Sequence, residues 1–88
     1  MAHTDEYEMK LPRARILVVG RAVDCEEVVR RMGLLASQVK VATRVQQLMG
    51  VKPEVITLIP SGRTDFYLMN EARHLARRHG AQVLSWTL

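Results

Sequence analysis

Two short runs of the chain are almost wholly aliphatic, Ile16-Leu17-Val18-Val19 and Val55-Ile56-Thr57-Leu58-Ile59. A run with no polar side to show to water reads as a strand covered on both faces, the setting of a central strand in a parallel sheet. Gly20 ends the first run, and Pro60-Ser61-Gly62-Arg63-Thr64 turns the chain after the second, whose strand is predicted from Glu54 to Ile59. Val39 and Val41 mark a shorter strand over Gln38 to Ala42. Gln82 to Leu88 alternates well enough to be a one-sided edge strand.

Helical spacing fills the intervals. Leu68, Met69, Ala72, Leu75, Ala76 and His79 recur on one side of a long segment that Thr64 or Asp65 caps and Gly80 ends, while Glu71, Arg73, His74, Arg77 and Arg78 cover the rest of it. Its last turns concentrate Arg and His, which suits the negative end of a helix dipole. Asp24-Cys25-Glu26-Glu27 has the form of a capping box and predicts a helix from Asp24 to about Met32, closed by Gly33. Val45, Leu48 and Met49 fall at i, i+3 and i+4, so a short helix capped by Thr43 is expected over Arg44 to Met49.

Strands and helices therefore alternate, which gives a parallel sheet with right-handed crossovers and helices on both faces. The expected fold is a small Rossmann-like (flavodoxin-like) three-layer α/β/α domain with four parallel strands in the order 2-1-3-4. Before it, Glu6 to Leu11 sets Tyr7, Met9 and Leu11 against Glu6, Glu8 and Lys10 with a period of two, and Pro12 ends the pattern. An added edge strand and a frayed tail are both open readings of that segment. Residues 1–13 are thus an N-terminal arm or edge strand, and residues 14–88 one α/β domain.

With 48% hydrophobic and 25% charged residues, the composition is that of a soluble globular protein. No apolar run nears the roughly 20 residues that span a bilayer, and the acidic start lacks the basic and apolar parts of a signal peptide, so no membrane association and a cytoplasmic location are expected. Cys25 is the single cysteine and has no intramolecular partner, in keeping with a reducing compartment. The net charge of +4 admits nucleic acid as a partner, but no block of Lys or Arg exceeds two residues.

Candidate chemistry is sparse. The loop after the first strand, Gly20 to Asp24, lacks the G-x-G-x-x-G spacing and the Lys and hydroxyl of a P-loop, so no cofactor is expected. Ser61, Gly62, Arg63 and Thr64 form the best anion candidate, since a glycine turn before a helix presents free amides beside an arginine. The same residues also make an ordinary strand-to-helix turn. Arg73 and Arg77, on the outward side of the long helix with Asn70, His74 and Arg78, are the candidate contacts for a nucleic-acid backbone. Cys25 opens a helix, where amide dipoles lower a thiol pKa, yet no histidine is near and Glu26 and Glu27 oppose a thiolate, so it reads as a small hydrophobe. No spacing of His3, His74 and His79 matches a metal site. Catalytic and metal-binding residues are accordingly expected to be none. Tyr7, Met9, Leu11, Leu84, Trp86 and Leu88 are the candidate interface, through which a homodimer is expected.

Ile16 to Arg21, Met32-Gly33-Leu34 and Pro53 to Pro60 together resemble small stand-alone Rossmann-like proteins encoded by phages of actinobacteria, over about two-thirds of the chain. The resemblance carries no known reaction and no catalytic residue. It implies an accessory protein in the host cytoplasm that binds a host or phage macromolecule. A non-enzymatic interaction module with a protein partner is therefore the leading expectation, followed by a phosphate- or nucleotide-binding protein using Ser61 to Thr64, and then by a weak nucleic-acid binder.

Overall fold

In a computed structural model, residues 16–61 and 66–87 are described. Four parallel strands, β1 (Ile16–Val19), β2 (Val39–Ala42), β3 (Val55–Leu58) and β4 (Gln82–Ser85), lie in the order β2-β1-β3-β4, as the doubly wound pattern requires. Val18 stands level with Val41 on one side and Thr57 on the other, and Thr57 level with Leu84. The two aliphatic runs are the two central strands.

Each face of the sheet takes alternate residues of every strand. One face carries helix α1 (Ala22–Met32), which lies over β1 and β2 and closes a core of Val18, Cys25, Val28 and Ile59, with Trp86 packed at its margin. The opposite face carries helix α2 (Phe66–His79) and a 3₁₀ turn (Val45–Leu48) over Leu17, Val19, Ile56 and Leu58. Cover is therefore uneven: among the described residues no helix lies over β3 and β4 on the α1 side. Thr57 points to that side, fully buried, and its hydroxyl has no hydrogen-bond partner among the described residues.

Several expected boundaries move. Helix α1 begins at Ala22 rather than at Asp24, with Arg21 as its N-cap, and the Asp24–Glu27 capping box does not form. Asp24 instead receives the Arg21 guanidinium, and Glu27 pairs with Arg30 and Arg31 one turn on. The segment after β2 winds as 3₁₀ over Val45–Leu48 rather than as an α-helix over Arg44 to Met49. Leu48 is buried and Met49 exposed, because a three-residue turn does not bring both to the sheet. His79, expected on the buried side of the long helix, is exposed. Strand β4 is shorter than the expected Gln82 to Leu88.

Candidate functional site

The crossovers leaving β1 and β3 run in opposite directions, so the carboxyl ends of these neighbours bound the crevice where ligands sit in open α/β sheets. Its floor is closed by backbone. The Ile59 N–H donates to the Val19 carbonyl at 2.9 Å, and the Gly20 N–H donates to the Ala42 carbonyl at 3.2 Å. A Cβ on Gly20 would stand 3.1 Å from both Cβ and the carbonyl oxygen of Ile59, a few tenths of an ångström tighter than ordinary contact, so the bare glycine lets the two strand ends pack without Ile59 moving.

Above that floor Arg21 and Asp24 are paired with each other. Arg21 donates from Nε to Asp24 Oδ2 at 2.8 Å and from Nη2 to Oδ1 at 3.3 Å. That hydrogen bond and the carboxylate charge hold the guanidinium above its ordinary pKa. Cys25 lies directly beneath, with its Sγ 3.8 Å from the Val18 carbonyl. Burial first, then the nearby Asp24 carboxylate, push the thiol up to about 11. At neutral pH it is protonated and inert, so burial outweighs the helix N-terminus that would favour a thiolate.

At the end of β2, Gln47 Oε1 accepts from the Thr43 N–H at 2.7 Å, the Thr43 hydroxyl at 3.1 Å and the Arg44 N–H at 3.1 Å. Thr43 is thus not the cap of the following turn, because Gln47 reaches back to fill that role. Of the anion candidates, Ser61 is half-buried after β3, whereas Gly62, Arg63 and Thr64 lie outside the described residues.

Beside exposed Arg21 and Arg44, this edge also presents large apolar and aromatic side chains to solvent. Val23 in the first turn of α1 is 65% exposed, and Phe66 and Tyr67 in the first turn of α2 are 81% and 61% exposed. Both helices start at the carboxyl edge, from neighbouring strands. These three residues were missed in the sequence, although a signal was present: Phe66 and Tyr67 fall outside the Leu68, Met69, Ala72 stripe.

Arg73 and Arg77 stand one turn apart on the exposed side of α2 and form no ion pair among the described residues. With Ala76, Gly80, Ala81 and Val83 they line an open cleft of about 430 Å³ between α2 and the edge strand β4. The interface candidates separate. Leu84 and Trp86 are half-buried on the α1 side, Trp86 against Val18, Cys25, Val28 and Ile59, while Tyr7, Met9, Leu11 and Leu88 lie outside the described residues. A second cleft, of about 290 Å³, lies at the opposite, amino edge of the sheet and includes Gln38, Lys40 and Lys52.

Among the described residues no three His, Cys, Asp or Glu side chains gather in a way that could hold a metal ion, and no helix is long and apolar enough to cross a membrane. No protein-family model, curated protein or solved structure matches the chain.

Proposed function

We propose that the chain is a non-enzymatic interaction module that binds a protein partner at the carboxyl edge of its sheet. The observation that carries this reading is the exposure of Phe66, Tyr67 and Val23 in the first turns of the two helices. Aromatic side chains are costly to leave in water and are enriched at the centres of protein interfaces. Among the described residues at the same edge, Arg21 is engaged with Asp24 and Thr43 with Gln47, and Gly20 packs against Ile59.

A photo-crosslinking residue placed at Phe66 in the producing cell tests this. The expected result is one discrete protein adduct, lost when Val23→Glu is added and absent when the crosslinker stands at Lys40 on the far edge of the sheet. Melting temperature should stay constant across a panel of nucleotides and inorganic phosphate. A rise of several degrees with one of these ligands, abolished in Arg63→Ala, together with no adduct at Phe66, transfers the assignment to an anion-binding protein using Ser61 to Thr64.

A further inference from the structure

We infer that the outer edge of β4 is a docking site for an extended segment of a partner protein, added to the sheet as a fifth strand and alternating acidic with apolar residues. The inference rests on the interaction-module reading but uses a different surface, away from Phe66 and Val23.

The main chain supplies the first half of the argument. Gln82 donates its N–H to the Glu54 carbonyl at 3.0 Å, and Trp86 donates to the Leu58 carbonyl at 2.9 Å. A parallel ladder alternates, so the N–H and C=O of Val83 and Ser85, which lie between, face outward. Those are two donors and two acceptors in the register that a further strand needs. The devices that usually block such pairing are missing from Gln82-Val83-Leu84-Ser85, which has neither lysine nor proline, whereas the other edge strand, β2, carries exposed Lys40.

Side chains supply the second half, because the two faces beside this edge differ. On the α2 face, Val83 is 44% exposed and borders the cleft lined by Arg73 and Arg77. Residues four apart on a helix are separated by about 6 Å along its axis. Residues two apart on a strand, on one face, are separated by about 6.6 Å. Two acidic side chains in an acid-x-acid pattern thus match the spacing of the two arginines. On the α1 face the edge presents half-buried Leu84, with half-buried Trp86 packed inward against the core under α1, and no described helix covers β3 and β4 there. The residues between the acids, pointing to that side, are therefore apolar. Main-chain pairing supplies affinity and the alternation supplies selectivity, as in other cases of strand addition.

The probe is an end-capped, fluorescein-labelled octapeptide alternating Glu with Val and Tyr, followed by fluorescence anisotropy with the full chain. Saturable binding is expected, at least tenfold weaker for Arg73→Glu/Arg77→Glu, and at least tenfold weaker for the same peptide with its pairing-edge amides N-methylated. A peptide with Lys in place of Glu should bind the double variant better than it binds the wild type. Both arginines are exposed, but a carboxylate at position 77 opposes the dipole in the last turn of α2, so the double variant should melt a few degrees lower and binding is compared well below that transition. Absence of binding, or binding indifferent to N-methylation, overturns the proposal. A single-stranded oligonucleotide that displaces the peptide and itself binds tightly through Arg73 and Arg77 assigns the cleft to nucleic acid and overturns it too. So does a dimer in light scattering that becomes monomeric on removal of residues 1–11 and that excludes the peptide, since the edge then belongs to a second copy. A crosslink at Phe66 with no peptide binding would leave the interaction reading standing and this one refuted.

Discussion

Replacing Thr57 by valine should make the domain more stable. Thr57 is the middle of the second aliphatic strand, fully buried, level with Val18 and Leu84, and its hydroxyl finds no partner among the described residues. Burying an unpaired hydroxyl costs about 1–3 kcal/mol. Valine keeps the β-branched shape and so the strand conformation, while exchanging the hydroxyl for a methyl group. A net gain of about 1–2 kcal/mol follows, equivalent for a domain of this size to a melting temperature higher by roughly 5–15 °C. Thr57→Ser is the matched control, since it retains the hydroxyl, deletes the methyl and should lose about 1 kcal/mol. Urea titration of the three proteins decides, with unchanged m-values showing that the native and unfolded states are otherwise comparable. A Thr57→Val protein less stable than the wild type would refute the reasoning, because it would mean that the hydroxyl is satisfied in the folded chain.

Gly20→Ala should destabilise by about 1–3 kcal/mol in the same titration, because its Cβ would meet Ile59 at 3.1 Å and backbone yields less readily than a flexible side chain; a neutral result would show that Ile59 shifts by the few tenths of an ångström the methyl needs. Cys25 has a folded-state pKa raised to about 11 from an ordinary value near 9, so its contribution is full below pH 9 and is lost as pH rises through about 11. The loss amounts to about 2–3 kcal/mol, and a Cys25→Ala protein should show no such loss when its urea midpoints at pH 8 and pH 11 are compared with those of the wild type. Native Cys25 should react with a thiol reagent only as fast as the domain opens; rapid labelling at neutral pH would contradict its burial. Gln47→Ala removes one oxygen that accepts three hydrogen bonds and should cost about 1 kcal/mol, read from the melting curve.

The central strands, the strand order and the long helix were legible because each rests on a pattern that burial enforces. Ile16 to Val19 and Val55 to Leu58 have no polar side to expose, and the alternation of elements then leaves few ways to connect them. Boundaries set by side-chain hydrogen bonds were not legible. Asp24 and Glu27 satisfy the spacing of a capping box, but each has arginines within one turn that form charged pairs, and those pairs win. Val45, Leu48 and Met49 satisfy α-helical spacing over a stretch too short to distinguish it from 3₁₀ winding. At the candidate site, Arg73 and Arg77 were visible as a basic pair, while their meeting with the β4 edge depends on the crossover that lays α2 beside that strand. The exposure of Phe66 and Tyr67 was legible only in their position outside the Leu68, Met69, Ala72 stripe, a signal that the usual burial of aromatic residues outweighs.

Strand β1 is both the first of the four to be made and an inner member of the finished sheet. On the ribosome it waits for β2, and its other flank stays bare until β3 emerges about 40 residues later, roughly 2–8 s at ordinary rates of synthesis. Through that interval a wholly aliphatic strand has at least one side unpaired, so a nascent chain stalled before Val55 should be more prone than the finished chain to aggregate or to need a chaperone. The β1–β3 pairing that ends the exposure is also non-local, which places it among the slow steps of folding.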